Sequence, residues 1–262
     1  MRTSLFRAAL ARGDGPALGT WVKIPAPEVV ELVALAGFDV AVIDLEHSPM
    51  SLESASTLIA TALHTGVSAI VRVPGLDPGL VQRVLDAGAE GVMVPHVDTV
   101  EQARSAAAAV RFPPLGERGV GSTSRAGAWG AQPLAEYLRF GQEEAMLIAQ
   151  IESAAGVRNA EEIAAVDGVD ALLVGTVDLA VSEGRTPGDP AVAELVAAVV
   201  DSARAAGVPV GNAGAATAEA AQTAVDAGFT FTMLSNDATM LGTAARAAVA
   251  AGRSARPRQE TR

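Results

Sequence analysis

The feature that most constrains this chain is a local pattern repeated along its length. An alanine-rich amphipathic stretch stops at a glycine, and a short apolar, β-branched run begins within a few residues. The pattern occurs at Ala36-Gly37 before DVAVID, Thr65-Gly66 before VSAIVRV, Ala87-Gly88 before GVMVP, Asp167-Gly168 before VDALLV, Ala206-Gly207 before VPVGN and Ala227-Gly228 before FTFTML. A glycine at such a point suits the left-handed turn that ends a helix and releases the chain into a strand. Two further runs, LGTWV from Leu18 and MLIAQI from Met146, bring the strands to eight. The runs are continuous rather than alternating, so the strands are expected to be buried on both faces of a parallel sheet.

Between the strands, helices are predicted over 26–36, 51–65, 77–87, 99–110, 157–166, 190–206, 217–227 and 237–251. Eight strands alternating with eight helices in 262 residues is the format of a (β/α)8 TIM barrel. An open doubly wound sheet would need a glycine fingerprint after its first strand, where this sequence reads TWVKIPAPE. Half the residues are hydrophobic and only 3% aromatic, so the core must be assembled from small and branched side chains on many short elements, as layered α/β proteins do. One barrel domain is expected over 1–253, followed by a flexible polar tail over 254–262. The segment from Arg111 to Glu144 is longer than an ordinary connection and reads as an active-site flap or a subunit contact.

A formal charge of −11 offers no concentrated positive surface for nucleic acid or an anionic membrane. The absence of cysteine excludes disulfides, thiolate nucleophiles and cysteine metal sites. Met1–Leu10 is short and interrupted by Arg2 and Arg7, unlike a signal peptide, and no apolar run reaches membrane-spanning length, so a cytoplasmic location is expected. These readings favour small molecules as partners.

In such a barrel, chemistry sits at the C-terminal ends of the strands. The polar residues predicted there are Lys23, Asp44, Glu46, His47, Arg72, His96, Gln150, Glu152, Thr176, Asp178, Asn212 and the run Ser235, Asn236, Asp237, with Trp21 beside them. Glu152 and Asp178 end adjacent strands, and two hard oxygen ligands with room for substrate and water suit Mg²⁺ or Mn²⁺; capping of the following helices is the plainer alternative. Arg72 ends an apolar strand, where it meets either a neighbouring carboxylate or a substrate anion. Asp44 and His47 are spaced so that the carboxylate could orient the imidazole. His64 reads as a helix-surface residue, and His96 as a pocket or interface residue. Lys23 is the one lysine against eighteen arginines, and so the one candidate for an imine mechanism.

Taken together these residues resemble the HpcH/HpaI aldolase family, metal-dependent pyruvate aldolases that include 4-hydroxy-2-oxoheptanedioate aldolase and 2-dehydro-3-deoxyglucarate aldolase. The resemblance runs from about Gly19 to about Ala247. It is carried by Gly19-Thr20-Trp21, VALAGFDVAVIDLEHSP (33–49), VRVP (71–74), VLDAGAEGVMVPHV (84–97), RFPPLGERGVGS (111–122), QIES (150–153) and VGTVDLA (174–180).

The resemblance implies a barrel of the phosphoenolpyruvate/pyruvate type whose last helix is exchanged between subunits of a homohexamer. It implies Glu152 and Asp178 as ligands of a divalent metal ion (Mg²⁺, Mn²⁺ or Co²⁺), with Gln150 beside them. Arg72 would meet the keto oxygen of pyruvate, His47 oriented by Asp44 would be the acid/base group, and Trp21 would wall the pocket. The backbone of Gly175, Thr176 and Val177 would take the substrate carboxylate. Family members usually read Gly-Pro-Ala-Asp where this chain has Gly175-Thr176-Val177-Asp178, and Val177 narrows the pocket. The implied reaction is reversible aldol cleavage and addition between pyruvate, or a related 2-oxo acid, and an aldehyde, through a metal-stabilised enolate, with oxaloacetate decarboxylation as a side activity. A citrate lyase β-subunit-like or malyl-coenzyme A-type lyase is the alternative, and a non-catalytic 2-oxo acid binder a more distant one. Arg118 and Arg125, on the long segment, are expected to reach a neighbouring subunit's pocket.

Overall fold

The computed structural model describes residues 2–255; the expected tail lies outside the described residues from 256 onward. A short helix α1 (Leu5–Leu10) precedes β1 (Ala17–Val22), α2 (Pro27–Leu35), β2 (Val40–Asp44), α3 (Leu52–Thr65), β3 (Ser68–Arg72), α4 (Pro78–Asp86), β4 (Gly91–Val94) and α5 (Val100–Val110). After the long connection, which holds α6 (Leu134–Arg139), come β5 (Met146–Ile151), α7 (Ala154–Arg158), α8 (Ala160–Ala164), β6 (Ala171–Val174), α9 (Thr176–Ser182), α10 (Pro190–Ala206), β7 (Val210–Gly214), α11 (Ala218–Asp226), β8 (Phe231–Asn236) and α12 (Asp237–Ser254). The eight strands pair in parallel and in order, and β8 closes onto β1, so the sheet is a closed (β/α)8 barrel. All six glycines of the repeated pattern have positive φ, from 69° at Gly207 to 105° at Gly88.

The pleat sorts the strand residues into two cores. Val40, Val42, Ile70, Met93, Met146, Ile148, Ala171, Leu173, Phe231 and Met233 point into the barrel, while Ala41, Ile43, Val71, Val92, Leu147, Ala149, Leu172 and Val174 point out against the helices. Room inside is limited: a Cβ on Gly211 would lie 2.1 Å from the Phe231 ring. The N-terminal end is closed by α1, a helix the periodicity did not reveal. Phe6 meets Phe231 edge-on at 5.2 Å, and buried Glu90 accepts from the Ser4 hydroxyl, the Phe6 N–H and the Ser68 hydroxyl. Burying a phenylalanine is worth about 1.5–3 kcal/mol, enough to hold a six-residue helix that could not persist alone.

The helix expected at 157–166 is two short helices meeting at Asn159, and α9 follows β6 at once, with Gly175 as its N-cap. The long segment is not a free flap. Arg118 is buried, stacked 4.5 Å over Phe112 and paired with Asp86 at 2.8 Å, and Arg125 donates to the Ser56 and Ala87 carbonyls. Both arginines are therefore committed within their own chain, and the expectation that they reach a neighbour's pocket is corrected. The segment also exposes large apolar side chains, among them Trp129, 70% accessible on a left-handed backbone beside left-handed Ala128. Among the described residues no helix is long and apolar enough to cross a membrane.

Candidate active site

The barrel's alternation carries straight into the site. Trp21, Asp44, Arg72, Gln150 and Gly175 each occupy the next inward position after the apolar interior of their strands, so the pleat alone aims them at the C-terminal mouth. A cavity of about 250 Å³ opens there, lined by Trp21, Lys23, His47, Arg72, Gln150, Leu173, Gly175, Thr176, Val177, Asp178, Ala213 and Asn236. A larger cavity of about 570 Å³ lies outside the barrel between α10 and α11, but its lining is mainly alanine, valine and threonine and contains only one carboxylate, Glu219. Reactive groups converge at the smaller one.

Asp44 and Arg72 are opposite each other in register. Arg72 Nε and Nη2 donate to the two Asp44 oxygens at 3.0 and 2.7 Å, Nη1 faces Glu46 at 3.0 Å, and the guanidinium lies 4.1 Å over the Trp21 ring. Lys23 Nζ adds a second cation 2.8 Å from Asp44. Burial raises the Asp44 pKa, but hydrogen bonds from Arg72 and Lys23 and the Arg72 charge outweigh it and hold the carboxyl at about 2.

On the other side, Glu152 Oε1 accepts from the His96 backbone N–H at 2.9 Å and lies 3.2 Å from its Nδ1, while Oε2 accepts from Gln150 Nε2 at 2.8 Å. His96 reaches this position on a left-handed backbone, φ 54°, with its Nε2 3.5 Å from Glu46. Glu152 has its pKa raised, first by burial and then by the charges of Asp178 and Glu46, against the opposing effect of His96. Gly175 makes this packing feasible: a Cβ there would stand 2.9 Å from Glu152 Oε2. The Asp178 side chain is exposed and has no hydrogen bond or ion pair among the described residues, and the Gln150 Oε1 is buried without a partner.

A divalent ion fits this donor set. Two carboxylates and an orphaned amide oxygen are hard oxygen ligands, and a cation would offset the burial and the Asp178 and Glu46 charges that raise the Glu152 pKa. Among the described residues no three His, Cys, Asp or Glu are grouped to hold a metal, so water and substrate would have to complete the shell.

The HpcH/HpaI aldolase/citrate lyase family model matches residues 17–244. The chain belongs to that family. A 4-hydroxy-2-oxovalerate aldolase of Novosphingobium aromaticivorans is 46% identical over 180 residues, covering 68% of this chain and 67% of that protein. A hydroxypyruvate/pyruvate aldolase of Deinococcus radiodurans is 38% identical over 251 residues, 93% of this chain and 88% of that protein. The crystal structure of an HpcH/HpaI aldolase from Desulfitobacterium hafniense aligns with a TM-score of 0.90 at 32% identity, covering 97% of this chain and 98% of that one.

In this family member one expected pairing is absent. Asp44 does not orient the His47 imidazole: its side chain accepts from the backbone N–H groups of Glu46 and His47 and is otherwise taken by Arg72 and Lys23. The three-residue spacing builds an Asp-capped turn, with the Ser48 hydroxyl on the Asp44 carbonyl, and the nearest carboxylate to the ring is Glu46, 3.6 Å from Nε2. Glu46 stands between Arg72 Nη1 at 3.0 Å and His96 Nε2 at 3.5 Å, a role not assigned to it from the sequence. Its position two residues beyond Asp44 was a signal, since an i+2 residue continues the inward face.

Proposed function

We propose that this protein is a divalent-metal-dependent aldolase that cleaves and forms the bond between pyruvate, or a close 2-oxo acid, and an aldehyde. The observation that carries the reading is a buried carboxylate, Glu152, beside one with no side-chain partner, Asp178, which shares a small cavity with the fixed Arg72 guanidinium. Glu152, Asp178 and the Gln150 amide oxygen would hold the ion, which when bound supplies Lewis-acid polarisation of a 2-oxo acid.

Two of the five Arg72 N–H donors are used by Asp44 and Nη1 is ion-paired with Glu46 without a hydrogen bond, leaving N–H groups for a substrate oxygen in a guanidinium that cannot swing away. These donors stabilise negative charge as it develops on the keto oxygen without a reorganisation cost. The first N–H groups of α9, at Thr176 and Val177, have no intrahelical acceptor and receive the substrate carboxylate. His47, at the cavity edge, removes a proton from the methyl carbon in addition and takes the aldol hydroxyl proton in cleavage. Trp21 excludes water from one side.

The volume suits a 2-oxo acid with a short aldehyde rather than an acyl-coenzyme A. Aldol turnover with pyruvate and a set of aldehydes, before and after chelation, tests the reading. Exchange of α12 between subunits and hexamer formation belong to the same proposal, and the bare surface of α12 supports them: of its residues only Asp237 is buried.

A further inference from the structure

Lys23, the sole lysine, follows β1 at the cavity edge with its root fixed by the buried Asp237 carboxylate, which accepts from the Lys23 N–H at 3.0 Å and the Ile24 N–H at 2.8 Å. Its ammonium has two partners. One is Asp44 Oδ2 at 2.8 Å, and the other is the backbone carbonyl of His47 at 3.3 Å. The turn that presents His47 is thus held at both of that residue's backbone groups, with the N–H on Asp44 Oδ1 at 3.1 Å and the carbonyl on Lys23. The His47 ring itself is more than half exposed, accepts or donates no hydrogen bond among the described residues and has Glu46 at 3.6 Å as its charged neighbour, so no hydrogen bond to the imidazole fixes its direction. Its aim must come from the backbone beneath it.

We infer that Lys23 is a positioning residue that clamps the Asp44–Ser48 turn and so sets the direction from which His47 meets the substrate. The inference rests on the aldolase reading for its kinetic consequence, but not for the clamp itself. What the clamp needs is a cation on a long stem that can donate to a side-chain oxygen and a backbone oxygen at once, which lysine and arginine can both supply.

The test compares the wild type with Lys23→Met and Lys23→Arg, each confirmed folded by thermal melting, in two measurements. The first is the side-chain NMR spectrum of isotope-labelled histidine, with His47 assigned by its loss in His47→Gln and His64 as an internal control. The second is the steady-state rate of pyruvate methyl-proton exchange into D₂O with Mg²⁺. Lys23→Met is expected to shift or broaden the His47 ring signals while sparing His64. It should also lower kcat by roughly 10- to 100-fold with pyruvate KM and Mg²⁺ affinity within about threefold of wild type, as a misaimed group does. Lys23→Arg should recover most of kcat. Unchanged His47 signals in Lys23→Met would overturn the clamp. A raised KM with intact kcat would make Lys23 a substrate-binding group, and a borohydride-trapped pyruvate adduct on Lys23 would make it a nucleophile, and either overturns the inference. If the wild type did not exchange pyruvate protons the aldolase reading would fall, and the ring signals alone would decide the clamp.

Discussion

Asp44 and Arg72 stand directly opposite each other on β2 and β3 and meet through two parallel hydrogen bonds of 3.0 and 2.7 Å, both side chains buried. Register puts them together, and the fork geometry of the guanidinium fixes the plane in which its remaining donors lie. With Asp44 held at about 2 instead of its ordinary 3.8, the folded state prefers the ionised form by ~2 kcal/mol.

That preference predicts an acid signature. The folded pKa is depressed, so the stabilisation is present above about pH 4 and disappears as pH falls towards 2. Asp44→Asn should cost about 3–5 kcal/mol at neutral pH, because it strands the buried Arg72. In urea titrations from pH 7 to 2, the gap between wild type and Asp44→Asn should be widest above pH 4 and narrow below it. A gap independent of pH would mean that the carboxylate charge is not what holds the turn.

Glu152 carries the opposite sign. Its folded pKa is raised, so in the metal-free protein its contribution is fully present below the ordinary carboxyl range and is lost as pH rises through the folded value. Glu152→Gln should therefore raise the melting temperature of the metal-free protein at pH 7 and abolish the further rise that Mg²⁺ or Mn²⁺ gives the wild type. A variant less stable than wild type without metal, or equally stabilised by metal, would remove Glu152 from the site.

How much of this was legible in the sequence follows from the period of each element. Glycine-ended helices and continuous apolar runs gave eight strands and the closed sheet, because buried parallel strands leave no choice of face. Inward aim for Trp21, Arg72 and Gln150 follows from the same alternation. The helix α1 was not legible, since a six-residue element held by Phe6 and Glu90 has no period of its own. Spacing likewise could not show whether Asp44 caps a turn or orients a ring, because both use a carboxylate three residues before a histidine.

The long segment supplies a contrast. Arg118, stacked on Phe112 and paired with Asp86, is a fastening. Arg118→Ala should cost about 2–4 kcal/mol of stability, within the range for breaking a buried ion pair and a stacked cation. Trp129→Ala, at an exposed side chain, should change monomer stability by no more than about 0.5 kcal/mol. Denaturant melts of the two variants check this, and an unaltered Arg118→Ala midpoint would return the residue to a binding role.

Helix α12 predicts the assembly. Eighteen residues with one buried side chain, and with Leu241 and Val249 63% and 52% exposed, leave an apolar surface without a partner in the described chain. Sedimentation at micromolar concentration should find an oligomer, and Leu241→Glu with Val249→Glu should dissociate it. A wild-type monomer would refute helix exchange.

We propose that Glu152 and Asp178 would hold a divalent ion and that His47 exchanges a methyl proton of the 2-oxo acid beside them. Its most direct test is pyruvate methyl-proton exchange in D₂O, followed by NMR on protein stripped with chelator and then given Mg²⁺, Mn²⁺ or Co²⁺, beside Glu152→Ala, Asp178→Ala and His47→Ala. No exchange is expected without metal, full recovery on adding it, and none from either carboxylate variant. His47→Ala should bind metal and pyruvate normally while losing roughly 10²–10⁴ in rate, the worth of a general acid/base group. Exchange that persists after exhaustive chelation, or that survives loss of both carboxylates, would contradict it.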